Sequence, residues 1–191
     1  MKIGYCVEGS TDRALLTGFK QRWCPNAELI PGRFRGSTKL RLRAEIPQIC
    51  QELDNKGCTV MVFLTDANTS IPQDVLRIAQ AQQGHVPVQF SHRVLSGVTA
   101  RNVECWLCAD SNWIAGETGR TAAEFDVENP KGVLEAALGI NSRDRKEELI
   151  ASLVQKAPVK QWILRSRSFE RFYDDARNLG QTSGCAIPNE R

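Results

Sequence analysis

The chain has 191 residues, 41% hydrophobic and 25% charged, with a formal net charge of +3. Such values suit one globular domain, or a domain with an appendage, and exclude disordered and fibrous classes. No apolar run approaches the ~20 residues of a membrane span, and the first residues carry no apolar signal core, which together point to a cytoplasmic protein without membrane contact.

The first half alternates strand and helix patterns. Residues 2–7 read as a short strand that ends at Glu8-Gly9. Ser10 or Thr11 then offers a cap for a helix to about Arg22, with Ala14, Leu15, Phe19 and Trp23 on one side. Residues 27–30 form a second short strand, closed by Pro31-Gly32, and 37–55 return to a helical pattern that Pro47 should kink and Gly57 should end. Residues 58–65 are the clearest strand, apolar throughout, as a strand covered on both faces is. A helix over 72–83 and a fourth strand over 86–90 follow. This alternation predicts an α/β fold with a doubly wound parallel sheet.

The second half is mainly helical, with patterns over 100–109, 130–138, 142–156 and 168–179, and a loose tail from Gly184. An α/β core over 1–95 and a helical extension over 96–191 are thus expected, packed as the same structural unit.

Seven cysteines, an odd number without regular spacing, are expected as reduced thiols. Cys105 and Cys108 form a lone C-x-x-C pair, and a structural zinc site would need a second pair that the sequence lacks; a buried helix face is the plainer reading. Basic residues cluster twice. Lys20, Arg22, Arg33, Arg35, Lys39, Arg41 and Arg43 stand against one acid, Glu28, and a later group comprises Lys156, Lys160, Arg165, Arg167 and Arg171. Such blocks either track a phosphate backbone or form solvated faces. Gly32 to Lys39 contains the residues of a phosphate loop in the wrong order, which excludes nucleotide hydrolysis there. His85 and His92 read as structural, and Trp106, Trp113 and Trp162 as core.

In open α/β sheets, ligands sit at the carboxyl ends of the strands. Two of the strongest strands here end in acids, Glu8 and Asp66, with Asp12 one helical turn beyond the first and Asn68 two residues beyond the second. Oxygen ligands grouped in this way suit Mg²⁺ or Mn²⁺ and phosphoryl chemistry. The plainer alternative makes Asp12 a helix N-terminal acid and residues 66–68 a turn.

The segments Val7-Glu8-Gly9-Ser10-Thr11-Asp12 and Phe63-Leu64-Thr65-Asp66-Ala67-Asn68 resemble the Toprim domain, found in topoisomerases, bacterial primases and overcoming-lysogenization-defect nucleases. In that family a Glu ends the first strand and an Asp-x-Asp ends the third. The nuclease branch adds an acid where Asp12 stands. Residues 102–110 and 166–172 are similar to small stand-alone bacterial Toprim-like proteins encoded beside ATPases. The resemblance implies a metal-dependent nuclease in a phage-defence setting, with Glu8 and Asp66 catalytic and Glu8, Asp12, Asp66, Asn68 and Glu104 toward the metal. Arg33, Arg35, Lys39, Arg41 and Arg43 would hold nucleic acid. The length leaves no room for strand passage or priming apparatus. Asn68 departs from the family pattern by removing one negative charge, which favours the other expectation: a non-catalytic module that binds nucleic acid or a partner ATPase.

Overall fold

The computed structural model describes residues 1–33, 39–139 and 143–191, the side chains of 39–43 and 143–144 excepted. Four strands form one parallel sheet: β1 (Lys2–Val7), β2 (Glu28–Pro31), β3 (Val60–Asp66) and β4 (Val94–Thr99), in the order β2-β1-β3-β4. The crossovers are α1 (Ser10–Trp23), α2 (Lys39–Asn55) and α3 (Pro72–Gly84). The helical half supplies α4 (Glu104–Leu107), α5 (Ser111–Thr118), α6 (Ala122–Phe125), α7 (Lys131–Leu138), α8 (Arg143–Lys156), α9 (Val159–Arg165) and α10 (Arg167–Ser183). The expected α/β architecture is therefore present, with the helical half packed on the sheet.

Alternation along β3 explains the layering. Val60, Val62 and Leu64 join a cluster with α1, α8, α9 and α10 on one face, whereas Met61 and Phe63 join Ile46, Ile49 and Leu53 of α2 on the other. The second face also carries α3, whose Val75 and Ala79 pack with Val98 of β4. Buried Gln82 of α3 accepts from Thr65 Oγ1 (2.8 Å) and donates to the Phe63 carbonyl (3.4 Å), so the helix is fixed to β3 by a polar bond. On the first face, α1 and α8 approach so closely that a Cβ on Gly18 would come within 2.5 Å of Val154 Cβ and 2.7 Å of the Ala151 carbonyl oxygen.

Several elements differ from the sequence reading. Residues 88–93 form a 3₁₀ turn, and the fourth strand begins at Val94. Pro87 has no N–H for a ladder, and its carbonyl instead accepts from Phe90 (2.9 Å) to start the turn. Helix α2 runs on through Pro47. The helix expected over 100–109 is the single turn α4, because the chain turns again at Cys108 before Asp110 caps α5 through the Trp113 amide (3.2 Å).

The tail is held, contrary to expectation. Cys24 and Cys185 are disulfide-bonded across 161 residues, with Cα atoms 5.1 Å apart, so two of the seven thiols are not reduced. Tyr173 donates to the Pro188 carbonyl and its oxygen accepts from the Glu190 amide, while Arg22 pairs with Glu190 at 2.7 Å. Cys6, Cys50, Cys58, Cys105 and Cys108 remain free. Among the described residues no helix is long and apolar enough to cross a membrane.

Candidate metal centre at the carboxyl end of the sheet

Glu8 and Asp66 end β1 and β3, which are neighbours in the sheet, so topology alone puts them side by side. The Glu8 carboxylate accepts from the Asp66 backbone N–H at 3.3 Å, at the exposed rim. Asp66 stands opposite Thr99 in the β3–β4 register, and its Oδ1 accepts from Thr99 Oγ1 at 2.8 Å. One neighbour thus orients Asp66 from each side.

Asp12 lies in the first turn of α1 and is only 4% exposed. Its Oδ2 accepts from the Gly9 amide at 2.8 Å, closing the start of the helix; its Oδ1 is buried with no hydrogen-bond partner. Burial, with the nearby charge of Asp66, pushes the Asp12 carboxyl up to about 8, against the lowering effect of the Gly9 bond; Glu104 and Glu8 add smaller upward contributions. Glu104, on α4, is 2% exposed and its Oε1 also lacks a partner. Burial raises its carboxyl as well, with Asp66 adding to the rise and Lys131 and Lys146 opposing it. Glu104 stands in the first turn of α4, as a helix N-terminal acid does, but is buried.

Asn68 is exposed and adopts a left-handed conformation with φ of 55°. Asn tolerates this region better than most side chains, which accounts for its identity at the turn. Arg101, after β4, is left-handed too (φ 58°). The two loops are laced together: the Asn68 amide donates to the Arg101 carbonyl and the Arg101 amide to the Thr69 carbonyl, both at 2.9 Å. The Arg101 side chain bonds Ser70 (2.9 Å) and pairs with Glu128.

The donor chemistry fits a hard divalent cation. All the candidate ligands offer oxygen, two buried carboxylate oxygens are orphaned, and mutual repulsion among the acids would be relieved by a positive charge near them. Among the described residues, no group of three or more His, Cys, Asp or Glu side chains is placed so that it could hold a metal ion as it stands.

Of the basic block, Arg33 is exposed at the end of β2, where its amide donates to Glu52 (3.3 Å). Arg35 and the side chains of Lys39, Arg41 and Arg43 lie outside the described residues. Thr99 and Ser168 were not legible as site residues. Ser168 Oγ accepts from Trp106 Nε1 (2.8 Å) and the Ala100 amide (3.3 Å), fixing α10 beside Glu104 and the end of β4. The signal for Thr99 was its place at a strand end, which a strand drawn over 86–90 concealed. Comparison of this chain with protein-family models, with curated proteins and with solved structures returns no match.

Proposed function

We propose that this chain is a metal-dependent nuclease of Toprim-like architecture that hydrolyses phosphodiester bonds of nucleic acid. The observation that carries the reading is the group of acids at the carboxyl end of the sheet, with orphaned oxygens on buried Asp12 and Glu104. A protein core does not retain unpartnered carboxylates without cost, and a cation would offset that cost. Asp66, Asp12 and Glu8 would hold Mg²⁺ or Mn²⁺, with Asn68 and Glu104 as accessory ligands. When bound, such an ion supplies charge against the scissile phosphate and acidifies a water. Thr99 keeps the Asp66 carboxylate oriented through its hydroxyl, and the Gly9 amide does the same for Asp12. Glu8, at the exposed rim, is placed to pass a proton to or from solvent as general acid or base. A cytoplasmic setting belongs to the same reading.

Incubation of purified protein with plasmid and with RNA, in Mg²⁺ or Mn²⁺, tests it. Cleavage by wild type that is lost in both Glu8→Gln and Asp66→Asn supports the proposal; cleavage that persists in both variants contradicts it. A second reading, a module that binds nucleic acid or a partner ATPase without cutting, is favoured by one residue. Asn68 brings no negative charge to the position where a second ligand acid is expected, which lowers the charge available to a metal. Binding without cleavage in either metal would select it.

A further inference from the structure

The outer edge of β4 opens into a cleft of about 890 Å³. Helix α3 walls it on one face of the sheet and α10 on the other, as the division of the two cores requires. Helices on opposite faces of a sheet have axes roughly 20 Å apart, which leaves an opening of about 10 Å once each helix radius is removed. A single strand fits such an opening and a duplex does not. The α3 wall and floor are mainly apolar, from Val75, Leu76, Ala79 and Val98, with Gln73 and Ser96 as polar members.

Charge is placed unevenly along the cleft. Arg165, Arg167 and Arg171 line the α10 side. Arg165 lies 3.8 Å from Asp110, whereas Arg167 and Arg171 enter no ion pair among the described residues, although Asp175 stands close enough to Arg171 to feel its charge. Two further acids on this wall, Glu170 and Asp174, are already paired with Arg191. The upper end of the cleft is bounded by Ser70 and Ala100, in the loops that follow β3 and β4, and by Cys105 of α4. A continuous set of bonds joins that end to the acids: Asp66 to Thr99, the next residue Ala100 to Ser168, and Ser168 to Trp106, two residues from Glu104.

We infer that this cleft is the path by which a single nucleic-acid strand reaches the carboxylates, its phosphates held by Arg165, Arg167 and Arg171. The substrate class rests on the proposed nuclease reading; the path rests on the cleft. An extended peptide adding to β4 fits less well, because the edge amide at the mouth, that of Ala100, is already taken by Ser168. Three residues of the later basic cluster, Arg165, Arg167 and Arg171, thus acquire a role, and Arg33, just after β2, lies at the opposite edge of the sheet. A strand that crosses the sheet from β4 to β2 covers roughly 14 Å and passes over Asp66 and Glu8 on the way.

The test is anisotropy of labelled oligothymidylate and oligouridylate in EDTA, where binding is read apart from cleavage, with circular dichroism to confirm folding. Arg167→Gln/Arg171→Gln should weaken binding by roughly tenfold or more and reduce the log–log salt slope by about 1.4, two contacts at ~0.7 each on single strands. Lys2→Gln/Arg120→Gln, at residues absent from the cleft lining, should leave both unchanged. Wild-type affinity and slope in the first variant, equal binding of a duplex, or displacement by polyglutamate as effective as by oligonucleotide would each overturn the inference, the last in favour of an acidic protein partner. Absence of any oligonucleotide binding overturns it too. The catalytic reading is judged separately, by metal-dependent cleavage in the Asp66→Asn comparison.

Discussion

Asp12 poses the sharpest problem at the scale of one residue. Its carboxylate closes the start of α1 through the Gly9 amide, yet the second oxygen is buried without a partner among other acids. An asparagine keeps the first bond and replaces the orphaned oxygen by a donor that faces carboxylates. In EDTA at pH 8, Asp12→Asn should therefore raise the unfolding temperature, by about 2–4 °C for each kcal/mol released. The sign follows from linkage: a carboxyl raised in the fold favours folding when protonated, and loses that contribution as pH rises from the unfolded value near 4 to about 8. The gain should vanish near pH 4, and a variant less stable than wild type at pH 8 would contradict the account. Asn68→Asp probes the neighbouring position. Since Asp also tolerates the left-handed region, the turn should survive, and the added charge should lower the Mg²⁺ concentration that half-saturates cleavage. An unchanged or higher metal requirement would show that Asn68 serves the turn alone.

At the scale of elements, Gly18 and the disulfide hold the helical half to the sheet. Gly18→Ala drives a methyl into Val154 and the Ala151 carbonyl across the α1–α8 contact, and should cost about 1–3 kcal/mol in urea denaturation. A neutral result would mean that the two helices separate freely. Reduction of Cys24–Cys185, which closes a loop of 161 residues, removes a restraint that chain entropy values at about 5 kcal/mol as an upper figure. The Tyr173, Arg22 and Arg191 contacts retain part of the tail's order. Loss of about 2–4 kcal/mol on reduction is expected, matched by Cys24→Ser/Cys185→Ser. Equal stability of oxidised and reduced protein would contradict it.

Legibility in the sequence followed the range of the interactions. Glu8 and Asp66 were visible because an acid that interrupts an apolar strand declares a strand end, and a parallel sheet gathers its strand ends. Strand β4 was misplaced because 86–90 and 94–99 are both largely apolar, and the 3₁₀ turn over 88–93 takes up most of the first run. The burial of Glu104 could not be read, since it depends on the chain turning at Cys108 and on Ser168 arriving from 62 residues away to meet Trp106. Pairing of Cys24 with Cys185 was equally hidden, because local spacing says nothing about which thiols meet in the fold.

For the whole molecule, the helical half completes the proposed site. The extension buries Glu104, anchors α10 beside β4 and lines the cleft with arginines, while the strand ends position Glu8 and Asp66 and the start of α1 positions Asp12. These acids are proposed to gather around a divalent cation. Manganese titration followed by electron paramagnetic resonance tests that claim without any substrate. Wild type should bind Mn²⁺ saturably and Mg²⁺ should compete, whereas Asp66→Asn should lose the bound ion while its circular dichroism stays unchanged. Saturable Mn²⁺ binding of equal strength in Asp66→Asn, or none in wild type, would contradict it.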